Sequence, residues 1–320
     1  MNKTFEAIDE PLPGRASRAW IEGARPHWQA CYERARAEGY DLPDPAECRR
    51  RIAHTMPELL GGYDAACALA PDDPLVHVSL AEVDPPPMIP VGCTVRALRS
   101  PSPVLVRNYD FHPDATSGVV VRSRWRGRTV VGMGEGVIGY LDGINDTGLV
   151  GAITFGGRHV YGPGFGVLLI LRWVLEVAED VRVACEAIAR VPCAWSQNVL
   201  LLDAEGHRAV AHLSPDRGNH IVDAIAVTNH QSDQEASDGS RRRLDEATAL
   251  DGDEEAVVRA FHRPPLFGRS YEDWMATLYT AVYRPVTRDL ELCWPGQARW
   301  RLGIESFTPG ERDVRLPDPA

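Results

Sequence analysis

Between Asp84 and Pro90 the chain reads Asp84-Pro85-Pro86-Pro87-Met88-Ile89-Pro90. Each proline removes a backbone donor and fixes φ, and each pushes the residue before it out of the helical region, so no helix runs through this stretch. It delivers the chain in extended form to Val91-Gly92-Cys93 and separates two different texts. Upstream, apolar residues recur at helical spacing over Arg18 to Glu38 and Pro45 to Ala70, and little alternates as a strand would. Downstream, short β-branched runs predict strands at Thr94 to Leu98, Val104 to Arg107, Val119 to Arg124, Thr129 to Val131 and Leu149 to Phe155. Helical spacing returns over Gly166 to Glu179 and Val181 to Arg190. Strands follow at Val199 to Asp203, His207 to Leu213 and Ile221 to Thr228, then helices at Arg241 to Leu250 and Glu254 to His262. Three short strands are expected after Met275. Strands, helices and strands again in one chain predict a layered α+β fold. The boundary falls between a leader, residues 1–92, and a main unit, residues 93–320.

The 320 residues suffice for a large core, and a formal net charge of -11 excludes a phosphate-binding face, so no nucleic-acid partner is expected. Phe165 to Ala178 is the longest apolar run; Arg172 and Glu176 interrupt it, so no membrane partner is expected either. Met1 to Arg18 lacks the apolar stretch of a secretory signal, and a cytoplasmic location is the default expectation. The seven cysteines are scattered, with no CxxC and no paired histidine spacing, so neither a disulfide framework nor a metal site is expected. Gln231 to Ser240 reads as a polar loop. Gly132-Met133-Gly134-Glu135-Gly136 and Gly162-Pro163-Gly164-Phe165-Gly166 lack the phosphate-cradling patterns and read as flexible loops.

Among the cysteines, Cys93 stands at the head of a strand directly after a glycine. Gly92 has no Cβ, so its peptide can adopt unusual dihedrals and its carbonyl stays open to the neighbouring thiol. An N-to-S acyl shift followed by hydrolysis would leave a chain beginning at Cys93. Its new α-amine, with a reference pKa of about 7.7–8.0, could serve as the base for its own thiol. The bland alternative is an ordinary buried cysteine.

Further residues weigh against that alternative. Arg107-Asn108-Tyr109-Asp110 ends the next strand, and Gly143-Ile144-Asn145-Asp146-Thr147-Gly148-Leu149, Asn198 to Gly206, Val227-Thr228-Asn229-His230 and Ser240-Arg241 follow in order. Together with Gly92-Cys93-Thr94 this series resembles the acyl-CoA:6-aminopenicillanate acyltransferase family, related to choloylglycine hydrolases and acid ceramidase-like amidases. The resemblance implies a four-layer αββα sandwich, the N-terminal nucleophile hydrolase fold, with a helical leader. It implies self-cleavage between Gly92 and Cys93, with Cys93 then acting as nucleophile.

The same resemblance implies roles for the other residues. Arg107 would favour the thiolate or orient a substrate carboxylate, and Asp110 would accept from the freed α-ammonium or the thiol. Asn229 would point its amide at the oxyanion. Arg241 would hold the network together, with Arg242 and Arg243 as rivals. Thr154 stands where many relatives carry an asparagine, as a second oxyanion donor or polar pocket residue; its hydroxyl could substitute, or a backbone N–H must, or the substrate differs. Tyr161 to Phe165 is expected as a pocket lip and His230 as a pocket residue, while Trp274, Tyr279 and Tyr283 read as core or pocket wall. The implied reaction is acyl transfer from a linear amide or thioester through a Cys93 acyl-enzyme, with water the default acceptor and an amine the other. No cofactor is implied, and no pantetheine or nucleotide pocket is identified. Expected partners are a small amide or acyl substrate and the leader, associated after cleavage; a homo-oligomer is open. The alternative reading is an uncleaved, non-catalytic binder of a small amide or peptide with the same fold.

Overall fold

A computed structural model of the chain describes all residues except 42, 87–91, 100, 232–235, 271–274 and 319–320. Pro87 to Val91 of the connector, part of the Gln231 to Ser240 loop, and Trp274 therefore lie outside the described residues.

The leader opens with a strand, β1 (Asn2–Asp9), before its helices α1 (Arg15–Ala37), α2 (Pro45–Thr55), α3 (Leu60–Cys67) and α4 (Pro74–Ala81). Asp44 and Asp73 cap α2 and α4 by accepting backbone N–H bonds, each with a proline at the first helical position, where no donor is lost. The main unit runs β2 (Gly92–Leu98), β3 (Val104–Asp110), β4 (Val119–Arg124), β5 (Thr129–Glu135), β6 (Gly139–Asn145) and β7 (Val150–Phe155), then α5 (Val167–Val177) and α6 (Val181–Ile188). β8 (Gln197–Leu202), β9 (Arg208–Leu213), β10 (His220–Val222) and β11 (Ala226–Val227) lead to α7 (Asp238–Ala249) and α8 (Glu254–Phe261). The chain ends with β12 (Arg269–Ser270), β13 (Met275–Arg284), β14 (Asp289–Cys293), β15 (Trp300–Gly303) and β16 (Gly310–Arg315).

These strands form two sheets. One has nine strands in the order β10-β9-β8-β7-β6-β5-β4-β1-β16; the other runs β11-β2-β3-β13-β14-β15, with β12 beside β13. Helices α5 and α6 cover the first sheet and α7 and α8 the second, which makes four layers, αββα. The main core fills the space between the sheets and under α5, and a smaller one lies between the second sheet and α7 and α8.

Several details differ from the sequence expectation; from Met275 onward the described residues form four strands, β13 to β16, rather than three. The leader is not helical throughout: β1 pairs parallel with β4 and antiparallel with β16, so it is a ply of the first sheet. Gly132 and Gly134 belong to β5 rather than to a loop. A Cβ on Gly132 would lie 2.2 Å from the Asp142 carbonyl oxygen, so this strand needs glycine for close backbone approach. The run Ile221 to Thr228 is divided between β10 in one sheet and β11 in the other.

Candidate active site

Cys93 is the second residue of β2, paired antiparallel with β3 so that Cys93 faces Tyr109, Val95 faces Arg107 and Gly92 faces Asp110. Side chains alternate along strands, which puts Cys93, Arg107 and Tyr109 on one side and Thr94, Asn108 and Asp110 on the other. The first set points between the sheets; the second meets the α7 and α8 layer. The nucleophile candidate is thus gripped from two faces.

Between the sheets, Arg107 Nη2 lies 3.4 Å from Cys93 Sγ. Its Nη1 donates to the Leu141 carbonyl at 2.7 Å and pairs with Asp142, and Arg107 and Asp142 are both fully buried. The Asp142 carboxylate also accepts from the Tyr279 hydroxyl at 2.7 Å and from that of Tyr283. Burial works against the Arg107 charge, and Tyr279, Asp142 and Cys93 outweigh it, so the guanidinium stays cationic. Burial likewise pushes the Cys93 thiol up, against the pull of Arg107. Cys93 has no exposed surface.

From the helix side, Arg243 donates to the Cys93 carbonyl at 3.1 Å, to Asp110 Oδ2 at 3.2 Å and to Asn229 Oδ1 at 2.8 Å. Asn229 Oδ1 also accepts the Cys93 N–H at 2.9 Å, while its Nδ2 is buried with no partner among the described residues. Thr277 donates to Asp110 Oδ1 at 2.6 Å. Burial raises the Asp110 pKa, against Arg243 and Thr277. Ser240 Oγ accepts the Asn229 N–H at 3.0 Å and lies 2.9 Å from His230 Nδ1, so it sets the Thr228-Asn229-His230 turn.

Cys93, Arg107, Asp110 and Asn229 are therefore brought together. Asp110 makes its contact through Arg243 rather than directly to the Cys93 nitrogen or sulfur. Arg241 is not at the site: its guanidinium donates to the Ala236 carbonyl at 2.8 Å on the exposed face of α7, and Arg243 takes the place expected for it. On a helix, residues three apart share a face and adjacent ones do not, so Ser240 and Arg243 turn inward together while Arg241 and Arg242 turn out. Thr154 is near the site but is not a free donor. Its single hydroxyl proton goes to the Thr228 carbonyl at 2.6 Å, and its oxygen accepts from Asn198 Nδ2 at 3.0 Å. His230 is half-buried, and burial, with Arg241 and Arg243, lowers its pKa. Tyr161 is 47% exposed, whereas Phe165 is buried beneath the Arg51 guanidinium of the leader.

The residues that sequence reasoning missed are Asp142, Ser240 as a positioning group, and Thr277; Arg243 was only a rival, and Tyr279 and Tyr283 were core or wall. Asp142 adjoins the Gly143 to Leu149 motif, and a buried arginine at Arg107 implies an anion somewhere, which was the available signal. A cavity of about 260 Å³ lies among leader helices, lined by Tyr32, Arg36 and Pro74. Among the described residues, Asp203, Glu205 and His207 could bring ligand atoms together. They sit at the turn between β8 and β9, where the Asp203 carboxylate already accepts the N–H groups of Val181 and His207.

Several solved structures are similar to this chain. Penicillin V acylase from Agrobacterium tumefaciens aligns over 69% of this chain and 90% of its own, at 14% identity and a TM-score of 0.50. The Caenorhabditis elegans ortholog of N-acylethanolamine-hydrolyzing acid amidase aligns over 66% and 99%, at 16% identity and a TM-score of 0.47. A mutant conjugated bile acid hydrolase from Clostridium perfringens aligns over 71% and 98%, at 14% identity and a TM-score of 0.45. No curated protein matches the sequence significantly. Residues 98–299, more than half of the chain, match the family described as acyl-coenzyme A:6-aminopenicillanic acid acyl-transferase. The chain belongs to that family.

Proposed function

We propose that the chain cuts itself between Gly92 and Cys93 and that the exposed N-terminal Cys93 then transfers acyl groups from linear amides, with water as the usual acceptor. The observation that carries this reading is the hold on one residue: the Cys93 N–H, carbonyl and sulfur each have a different partner, Asn229, Arg243 and Arg107. An inert core cysteine has no need of two cations around it.

In self-cleavage the Cys93 sulfur attacks the Gly92 carbonyl carbon, the peptide nitrogen leaves as the α-amine, and water hydrolyses the thioester to a Gly92 carboxylate and a free thiol. In turnover that amine takes the thiol proton, and the thiolate adds to the substrate carbonyl. The unpartnered Asn229 Nδ2 donates to the oxyanion, while Asn229 Oδ1, already 2.9 Å from the Cys93 nitrogen, steadies the amine. As the tetrahedral intermediate collapses, the ammonium returns its proton to the leaving amine. Water then adds to the acyl-thioester and restores the thiol. Arg107 offsets the thiolate charge in a site where burial opposes it. Because the Thr154 proton is committed to Thr228, a second oxyanion donor must be a backbone N–H.

Intact mass under denaturing conditions tests this. Wild-type protein should appear as residues 1–92 and 93–320, and Cys93→Ala as one chain; native wild type should release free acid from N-acyl amino acids and Cys93→Ala should not. A single chain of 320 residues in both samples would sink the reading and leave the non-catalytic binder.

A further inference from the structure

Asn229 reaches Cys93 from a strand too short to place it. β11 pairs with β2 at Ala226 and Val227, so its ladder ends two residues before Asn229, and side chains must position the Thr228-Asn229-His230 turn. From α7, Ser240 Oγ accepts the Asn229 N–H and the Ser240 carbonyl accepts the Thr228 hydroxyl, each at 3.0 Å. The other side is held from the opposite sheet. Thr154 of β7 and Asn198 of β8 are register partners, both without exposed surface. Thr154 donates to the Thr228 carbonyl at 2.6 Å, and Asn198 Nδ2 lies 3.2 Å from the same oxygen and 3.3 Å from the His230 carbonyl. Those two carbonyls belong to the residues on either side of Asn229. Gln231 continues the attachment: its Nε2 donates to the Gln197 carbonyl at 3.2 Å and the Leu213 carbonyl at 3.0 Å.

Asn198 serves here as a donor. Its two Nδ2 protons meet four acceptors: Thr154 Oγ1 at 3.0 Å and the carbonyls of Thr228, Phe155 and His230 at 3.2 to 3.3 Å. Its Oδ1 is buried with no partner among the described residues, which costs stability, so the side chain is kept for what its N–H groups hold. What they hold is the turn whose Asn229 Oδ1 accepts the Cys93 N–H at 2.9 Å and the Arg243 N–H at 2.8 Å. A donor aimed at an oxyanion works by being in place beforehand, and a misplacement of about 1 Å can cost on the order of a hundredfold.

We infer that Asn198 and Thr154 are positioning residues for the Asn229 oxyanion donor: from the first sheet they fix the carbonyls on both sides of Asn229, and so set its place relative to Cys93 on the second sheet. This rests on the acyl-transfer reading above. Both act through the turn, so their loss weakens transition-state stabilisation and leaves ground-state binding of the substrate as it was.

The experiment compares wild type with Asn198→Leu, Thr154→Val and Thr154→Ser, with kcat and KM on N-acyl amino acids expressed per cut chain from intact mass. Asn198→Leu and Thr154→Val should each lower kcat about tenfold, the size of a lost hydrogen bond, with KM within about twofold of wild type. Thr154→Ser restores the hydroxyl and should recover most of what Thr154→Val loses. A second arm reads the turn without turnover: the same substitutions are placed in the Cys93→Ala chain, whose residue 93 keeps its backbone N–H, and amide exchange is followed residue by residue. Asn198→Leu should quicken exchange at residues 93 and 229 about tenfold and leave Val95 and Ala97 of β2 unchanged. An unchanged kcat, a loss seen in KM alone, Thr154→Ser as slow as Thr154→Val, or exchange that quickens equally along β2 each overturns the inference. For a variant that stays uncut the exchange arm decides alone, with quickening confined to 93 and 229 upholding the inference and any other pattern overturning it. Wild type that is uncut or inactive is a different failure, seen before any variant is compared; it removes the acyl-transfer reading and this inference with it.

Discussion

Arg243 does the most work of any side chain at the site, since it touches the Cys93 carbonyl, Asp110 and Asn229 at once. Truncating it leaves the buried Asp110 carboxylate without its cation, a loss on the order of 3–5 kcal/mol for a buried pair. Arg243→Ala should therefore slow both self-cleavage and turnover by roughly a hundredfold or more, at about 1.4 kcal/mol per tenfold. Arg241→Ala, on the exposed face, should stay within about twofold of wild type. Asn229→Ala should cost about 10²–10³ in kcat by removing the oxyanion donor. Time courses of cleavage by mass spectrometry, with steady-state rates, check all three; equal losses for Arg241 and Arg243 would contradict the assignment. The sequence motif pointed one residue pair too early here. Ser240-Arg241 are adjacent in the text, but helical geometry puts Ser240 beside Arg243, and applying that spacing to α7 would have named Arg243 as the residue that faces Cys93. That Cys93, Arg107, Asp110 and Asn229 lie together was legible because each stands in a short local context. Asp142 was not, because its pairing with Arg107 crosses from one sheet to the other and no local spacing encodes it.

At the scale of elements, most strands and helices were readable from periodicity, and the misses at β1 and β5 have separate causes. β1 carries only two fully inward apolar residues, Phe5 and Ala7, so its alternation is brief, and its partners lie far off at Val119 to Arg122 and Gly310 to Arg315. The glycines of β5 read as loop because glycine is depleted in strands, yet here close contact with β6 demands it. β1 also gives the leader its firmest attachment. Phe5 is fully buried, with ring centres 5.2 Å from Trp294 and 6.1 Å from Tyr279, the same Tyr279 that bonds Asp142. Phe5→Ala should cost about 3–5 kcal/mol of stability. It should lower the urea midpoint of the whole protein and let the leader separate from the cleaved main unit on size exclusion. A leader that remains bound at an unchanged midpoint would mean that β1 contributes little to holding the two parts.

For the whole molecule, the leader's attachment carries a pH dependence through Glu82. The residue as a whole is partly exposed, but its carboxylate is wedged at the start of α5: Oε1 is 3.3 Å from where a Gly136 Cβ would lie, and Oε2 accepts the Leu169 N–H at 3.3 Å. Burial raises its pKa first, the Leu169 N–H opposes this, and the nearby Glu135 adds to it, so the carboxyl is pushed up to about 8 from 4.5. Glu135 is itself raised by burial, with Lys3 opposing. The sign follows from proton linkage. Between 4.5 and about 8 the folded form binds more protons than the unfolded one, so stability is fullest below that window and falls as pH rises through it. His262 works the other way: burial lowers its pKa to about 4 from 6.5, which favours the folded form as pH rises, and its effect is complete above 6.5. Between 6.5 and 8 the Glu82 contribution is therefore no longer masked by His262. Urea unfolding across that interval should show wild-type stability falling more steeply than that of Glu82→Gln, which cannot ionise. The fraction of leader retained after cleavage should fall in parallel. Equal slopes for the two proteins would mean that Glu82 ionises in place without loosening the junction between the leader and α5.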